Sequence, residues 1–243
     1  MNKRILLIAG HGAGDPGATA THGGRLYKEA DMTREVVEQL WEELGRYKAD
    51  VTVYPVDRNA YHDWMSHKMA VDLGDYDYIL EVHFNAFKST PRDGKNKGVE
   101  IYVTSGRREL SVATDILDQM VAMGFTDRGV KKYDWAVIAA AHKKGVDAAL
   151  AEICFIDDPD DMDHYLKHKD DVPVRLAHGL AEGLALELRP SAPDEIDLTV
   201  HNAVEDGILD SPNYWERVLR GTVVPSPANI KALMDKYHNA FNK

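Results

Sequence analysis

Two histidines and one glutamate occupy chemically informative places beside short apolar segments of the chain. His11 and His83 each directly follow such a segment, and Glu152 lies inside another, residues 148–156. Segments this short and apolar are typical of buried strands in a parallel sheet. Because sites in open α/β sheets form beyond the carboxyl ends of such strands, we expect these side chains to meet at one edge.

These residue types suit hydrolysis at a metal ion. A catalytic zinc takes about three protein ligands and one open position, and two histidines with one glutamate are an established set. Glu29, near the start of the first long predicted helix, could complete such a set with His11 and His83. Burying the carboxylate of Glu152 is costly unless it is protonated or faces a cation, and either state suits a general base. Asp15 could orient a ligand or bind substrate.

Spacing alone leaves a plainer interpretation open for each residue. A histidine at a strand end is more often a hydrogen-bonded surface residue than a ligand, and Glu29 could be a solvated helix residue. The chain has 11 histidines, and we assign those other than His11 and His83 to exposed helices and loops. The tryptophans at 41, 64 and 135 are expected in the core or at a rim rather than as sugar platforms.

Composition limits the classes of function. The 243 residues, 44% of them hydrophobic and 28% charged, suit one large α/β domain with or without a small appendage. A formal net charge of −11 argues against nucleic-acid binding. Cys154 is the single cysteine, so no internal disulfide forms, which fits a reducing cytoplasm. We expect no membrane insertion and synthesis without a signal peptide, since the apolar part of residues 1–10 is too short.

The order of elements predicts the fold class and the domain boundaries. Strands and helices alternate, which predicts βαβ units and an α/β sheet with helices on both faces. Predicted helices cover residues 27–47, a segment ending at Gly74, and residues 172–188, and an acidic turn follows the strand at 147–155. The composition then changes, which predicts a main domain at 1–189, a linker at 190–195 and a small helical module at 196–243.

Several motifs together resemble one enzyme family. They are residues 8–12 (Ile-Ala-Gly-His-Gly), 82–86 (Val-His-Phe-Asn-Ala), 98–102 (Gly-Val-Glu-Ile-Tyr) and 151–156 (Ala-Glu-Ile-Cys-Phe-Ile), with a glutamate at 29. In this order they resemble the zinc-dependent N-acetylmuramoyl-L-alanine amidases, in the catalytic type of bacterial autolysins and phage endolysins. The resemblance implies a three-layer αβα domain with a twisted, mostly parallel six-stranded sheet.

The resemblance also implies the roles of the residues. His11, Glu29 and His83 correspond to the ligands of Zn²⁺, and Glu152 corresponds to the catalytic glutamate. The family cleaves the amide between the lactyl group of N-acetylmuramic acid and the L-alanine of the stem peptide. Peptidoglycan is then the expected substrate and partner.

Three further side chains are candidates for substrate contact or for support of the ligands. They are Asp15, Asn85 and Glu81, the last at a position where the family usually carries serine or glutamate. The first motif departs from the family, because many members have Asp-Pro-Gly-His where this chain has residues 8–11.

The expected biological role is that of a phage or prophage endolysin, released through holin pores or by lysis. Alternatives are a mother-cell or autolytic wall amidase, a non-catalytic wall-binding protein on the same fold, and a zinc carboxypeptidase. The C-terminal module could bind the wall or mediate oligomerisation, including a homodimer through its helices.

Overall fold

A computed structural model describes residues 2–87, 92–107, 110–189, 199–200, 202–203, 205–206, 208–209, 212–220 and 225–241. The strands are β1 (Lys3–Ala9), β2 (Thr19–His22), β3 (Arg25–Lys28), β4 (Ala49–Val53), β5 (Tyr78–Asn85), β6 (Val99–Val103), β7 (Asp127–Lys132) and β8 (Asp147–Phe155). The helices are α1 (Glu29–Leu44), α2 (Ala60–Met65), α3 (Ser111–Ala122), α4 (Ala136–Lys143), α5 (Pro159–His168), α6 (Val172–Gly183), α7 (Pro212–Leu219) and α8 (Pro227–Phe241).

Six strands form one sheet in the order β4-β1-β5-β8-β6-β7. β4, β1, β5 and β8 run parallel to one another, while β6 is antiparallel to β8 and parallel to β7. The predicted α/β class with a mostly parallel six-stranded sheet is therefore confirmed. The central strands are apolar along nearly their whole length because helices cover both of their faces.

Two apolar clusters hold the helices against the sheet. One cluster includes Leu7 and Leu80 and packs beneath α1, α3, α5 and α6. The cluster on the opposite face includes Ile8 and Ile79 and packs beneath α2 and α4. On this second face the helices leave the carboxyl ends of β1, β5 and β8 uncovered, and a cavity forms there.

The first predicted helix is shorter than expected at both ends. The sequence predicts residues 27–47, but the helix runs from Glu29 to Leu44. It begins later because Arg25–Lys28 pairs with Thr19–His22 as an antiparallel hairpin. Gly23 and Gly24 make the two-residue turn, and both have positive φ, as hairpin turns of this length require.

The second predicted helix is wrong in its extent. α2 ends at Met65, and only a 3₁₀ turn at Leu73–Asp75 follows before β5. Asn59 caps α2 by accepting a hydrogen bond from the backbone N–H of His62 at 3.0 Å. His67, two residues beyond the end of α2, has a positive φ of 56°, a backbone conformation that does not continue a right-handed helix.

The predicted acidic turn after β8 is the beginning of helix α5. The carboxylate of Asp158 accepts hydrogen bonds from the backbone N–H groups of Asp160 and Asp161, at 3.1 and 3.0 Å. Pro159 occupies the first turn, where its missing N–H costs nothing. The acidic residues therefore start a helix instead of forming a loop.

The chain divides into two compact units, residues 1–189 and 190–243. The predicted linker at 190–195 lies outside the described residues. In the second unit, the Asn229 side chain donates a hydrogen bond to the Tyr214 hydroxyl at 2.8 Å and so connects α7 with α8. A role of this unit in wall binding stays a prediction, and the described residues give no support to the homodimer.

Within the described ranges, no helix has the length and apolar character needed to cross a bilayer.

Candidate active site

Strand register brings the predicted residues to one edge of the sheet. Ala9 in β1 pairs with Val82 in β5, so the chain leaving β1 reaches His11 beside the end of β5. His83 in β5 pairs directly with Glu152 in β8. The sheet thus places both histidines and Glu152 together, as the apolar runs in the sequence predicted.

Glu29 lies between the two histidines. Its Oε2 is 3.1 Å from Nε2 of His11, and its Oε1 is 2.9 Å from Nδ1 of His83. One donor atom from each of the three residues lies within 4.8 Å of the others. The imidazole rings meet edge to face, with centroids 5.0 Å apart. Three side chains that are distant in sequence therefore surround one small volume.

The backbone fixes the carboxylate of Glu29. Its two oxygens accept hydrogen bonds from the N–H groups of Ala18, at 2.9 Å, and Phe84, at 3.1 Å. The side chain is buried, which by itself would raise its pKa, but hydrogen bonds from His11 and His83 hold that pKa well below its usual range. Glu29 is therefore an anion held rigidly in the protein.

The same contacts favour the protonated form of both imidazoles in the metal-free protein. Burial lowers the pKa of His83, but Glu29 and then Glu81 outweigh burial and raise the pKa. For His11 the burial effect is likewise outweighed by Glu29 and by Asp15, and its pKa is raised. A cation at this position would replace those protons, since metal ligation requires neutral imidazole.

A carboxylate also contacts the other ring nitrogen of each histidine. Asp15 Oδ2 lies 2.9 Å from Nδ1 of His11, and the Asn59 side chain donates to the same oxygen at 3.1 Å. Glu81 Oε1 lies 3.2 Å from Nε2 of His83. Carboxylates in this arrangement are usual behind ligand histidines. Asp15 and Glu81 thus lie where supporting residues would be needed, and their roles stay predictions.

Two glycines leave room for the histidine rings. A Cβ at Gly10 would lie 2.4 Å from the His83 ring, and one at Gly17 would lie 2.6 Å from the His11 ring and 2.7 Å from Glu29. Gly17 also has a positive φ, which a larger residue would adopt only with strain. Glycine at these two positions therefore lets the backbone come close to both imidazole rings.

Glu152 is a buried carboxylate with an unsatisfied oxygen. Its Oε2 is buried, and none of the described residues forms a hydrogen bond with it. Burial raises the pKa of Glu152 to about 7; His83 opposes this shift, while the carboxylates of Glu29 and Glu100 add to it. Such a group can both accept and release a proton near neutral pH.

The site opens into a cavity of about 500 Å³. All seven residues singled out in the sequence line it, and so do several that were not. The latter include His62, Tyr61, Tyr102 and Trp135. His62 is exposed on helix α2, as expected, and it also lines the cavity. Trp135 stands at the rim as expected, with 41% of its surface exposed. No sequence signal separated His62 from the other histidines.

The residues present fit a catalytic metal. Two imidazoles and one carboxylate form a donor set used by hydrolytic zinc, and they converge on one side of an open cavity. The unpaired oxygen of Glu152 lies in the same cavity, where water or substrate could satisfy it. Metal binding by His11, Glu29 and His83 stays a prediction. The role of Glu152 as the base also stays a prediction.

Comparison with known proteins agrees with the fold and gives the family of the chain. Residues 5–185 match the family model described as N-acetylmuramoyl-L-alanine amidase. The endolysin of Bacillus phage SPP1 is 29% identical over 194 residues, which are 76% of this chain and 66% of that protein. A probable autolysin of Staphylococcus aureus is 24% identical over 74% of this chain and 38% of its own length. The chain therefore spans two thirds or less of these relatives.

A solved structure shows the same architecture. The N-acetylmuramoyl-L-alanine amidase AmiC2 of Nostoc punctiforme superposes with a TM-score of 0.60 at 15% identity, over 75% of this chain and 97% of that one. At this identity the similarity shows a shared fold alone. The family match is stronger evidence, because it covers the sheet except for the first two residues of β1 and includes every strand end at the site. The chain belongs to the N-acetylmuramoyl-L-alanine amidase family.

Proposed function

We propose that this protein is a zinc-dependent amidase that hydrolyses the bond between N-acetylmuramic acid and L-alanine in peptidoglycan. The observation that carries the proposal is the convergence of His11, Glu29 and His83 beside the unpaired carboxylate oxygen of Glu152. Membership of the amidase family supports the choice of bond.

Three side chains that line the cavity would hold the ion. His11 and His83 would contribute neutral imidazole nitrogens and Glu29 a carboxylate oxygen. When bound, zinc would supply a Lewis acid that polarises the amide carbonyl and lowers the pKa of a water molecule. Asp15 and Glu81 would fix the orientation of the two imidazoles.

Glu152 would transfer the proton. Its carboxylate accepts a proton from water as the water oxygen bonds to the lactyl carbonyl carbon. The same carboxyl group then delivers this proton to the alanine nitrogen as the carbon–nitrogen bond breaks. The products are a free lactyl carboxylate on the sugar and a stem peptide with a free L-alanine amine. The burial that raises the pKa of Glu152 to about 7 suits both transfers.

Mass spectrometry of digested peptidoglycan tests the bond that is cleaved. We expect stem peptides that begin with a free L-alanine amine. We also expect glycan strands in which each released lactyl group is a free carboxylate. A zinc carboxypeptidase would instead release a terminal amino acid, and a wall-binding protein would release nothing. Either of these results would contradict the proposed reaction.

We further propose that the protein acts as a phage or prophage endolysin. The SPP1 relative is an endolysin, which supports this role. The Staphylococcus aureus relative is a probable autolysin, so a bacterial wall amidase is the second candidate. Release through a holin follows from this role and can be measured in a host with susceptible peptidoglycan. Cells that express the protein alone should stay intact, and coexpression with a holin should lyse them. Equal lysis without the holin would contradict this route.

A further inference from the structure

A second buried carboxylate lies beside the proposed base. Glu100 in β6 is the register partner of Glu152 in β8, and only 2% of its surface is exposed. Its Oε2 accepts a hydrogen bond from Nε of Arg128 at 2.7 Å and another from Nζ of Lys131. These two cations come from the neighbouring edge strand, β7. The proposed reaction leaves this network unused.

Glu100 is ionised and therefore only accepts hydrogen bonds. Burial would raise its pKa, but hydrogen bonds from Lys131, Arg128 and Tyr102 outweigh burial and lower the pKa below its ordinary value. Its Oε1 accepts from the Tyr102 hydroxyl at 2.8 Å and from Nδ2 of Asn85 at 2.6 Å. The charge on Glu100 thus requires a donor from every neighbour.

This requirement sets the orientation of the Asn85 amide. An ionised carboxylate can bond only to the NH₂ group of the amide, so the oxygen of Asn85 must take the other position. Asn85 lines the cavity and is partly exposed there. Among the described residues, no group donates a hydrogen bond to its Oδ1. Asn85 therefore offers a fixed acceptor in the cavity.

We propose that Oδ1 of Asn85 accepts the N–H of the peptide bond that follows L-alanine in the stem peptide, with Glu100 as its positioning residue. This inference rests on the proposed function. Asn85 lies two residues beyond His83 on β5, toward the open end of the sheet. The proposal places the stem peptide on this side of the cleaved bond, with the bond itself at His83 and Glu152. The next hydrogen-bond donor along that peptide is the N–H assigned here.

The chemistry predicts an effect on substrate binding instead of turnover. The N–H of the following peptide bond keeps its bonds throughout the reaction, so Asn85 would hold it equally in ground and transition states. Loss of such a contact raises KM and leaves kcat nearly unchanged. A residue that acted only in folding would not separate the two constants in this way.

The test pairs enzyme variants with two soluble disaccharide–tripeptide substrates. One substrate has the natural peptide bond after L-alanine, and the other has an ester there, which lacks the N–H. For the wild type, we expect the ester to lower kcat/KM about 3–10-fold, mainly through KM, as loss of one neutral hydrogen bond would. For Asn85→Ala, the two substrates should react almost equally. The difference measures the coupling between Asn85 and that N–H.

Variants at the network complete the test. Glu100→Gln lets the Asn85 amide reverse, so the preference for the natural bond should fall toward that of Asn85→Ala. Tyr102→Phe keeps the Asn85–Glu100 hydrogen bond and should retain the preference. Circular dichroism and zinc content identify any variant that has lost its fold.

Three results would overturn the inference. An ester effect in Asn85→Ala as large as in the wild type would exclude the contact. A full preference in folded Glu100→Gln would remove Glu100 as the positioning residue. A wild type that cleaves neither substrate but does cleave another bond would overturn the proposed function as well, so the two failures are distinguishable.

Discussion

Replacing Glu152 with glutamine should abolish nearly all hydrolysis of peptidoglycan while leaving the fold and the zinc content intact. Glutamine has the shape of glutamate but accepts no proton at neutral pH. A positioned general acid or base typically contributes about 10²–10⁴-fold to rate, and we expect a loss of kcat/KM in this range. Release of stem peptides from purified walls measures it.

The structure explains why this change should spare the fold. Oε2 of Glu152 makes no hydrogen bond within the described residues, so no partner loses a contact when the group becomes neutral. Glu152 also stands outside the group of three proposed ligands. Zinc content measured by elemental analysis should therefore equal that of the wild type. Normal wall hydrolysis by a zinc-loaded Glu152→Gln protein would exclude Glu152 as the base.

The pH dependence gives an independent check on Glu152. As a base it must be ionised in the free enzyme, so kcat/KM should fall as the pH falls through its pKa. Burial raises that pKa to about 7 in the metal-free protein, and a nearby dication would favour the carboxylate and lower it. The acid limb of the wild type should therefore have its midpoint at or below about pH 7. The residual activity of Glu152→Gln should lack this limb.

Much of the site could be predicted because strand ends are visible in sequence. The apolar runs before His11 and His83 correspond to β1 and β5, and parallel strands bring their carboxyl ends to one edge. Glu152 could be identified for a related reason, since a charged residue inside an apolar strand is costly to bury unless it has a function or a partner. Local sequence and sheet geometry together therefore located three of the four central residues.

Glu29 could not be found in this way. It is one of several acidic residues on α1, and its place depends on the hairpin that precedes the helix and on backbone N–H groups of Ala18 and Phe84. Those contacts join segments that the sequence does not relate. Only the family resemblance distinguished Glu29 beforehand.

Other misses had a signal in the sequence. Gly23 and Gly24 between two four-residue strands form a hairpin turn, and Asp158 followed by Pro159 is a helix start. β7 was hard to predict, because Asp127–Lys132 is a polar edge strand without an apolar run. The cluster around Glu100 depends on the antiparallel register of β6 and β8, which alternation of helices and strands does not reveal.

Replacing Glu29 with glutamine should remove zinc and, with it, activity. Outer partners of metal ligands typically contribute about 10–100-fold to metal affinity, and a direct ligand should contribute more. Glutamine also lacks the negative charge that lies between His11 and His83. We therefore expect zinc affinity to fall more than about 100-fold, measured by competition with a chromophoric chelator.

The same change should destabilise the metal-free protein. Both oxygens of Glu29 accept backbone N–H groups, and glutamine replaces one acceptor with a donor. A buried N–H left without a partner costs about 1–3 kcal/mol. Urea denaturation with a chelator present should show a loss of at least this size, because the contacts of Glu29 with His11 and His83 are weakened as well. Because the metal is absent from that measurement, it separates the contacts of Glu29 within the protein from metal binding.

Glu81→Gln is the matched control, since Glu81 is a buried carboxylate that contacts His83 without meeting the other two ligands. If Glu29 is a direct ligand and Glu81 an outer partner, the first change should weaken zinc binding far more than the second. Equal losses would mean that both carboxylates act only by orienting His83. Unchanged zinc binding in Glu29→Gln would remove Glu29 from the site, and two imidazoles alone would then have to account for the metal.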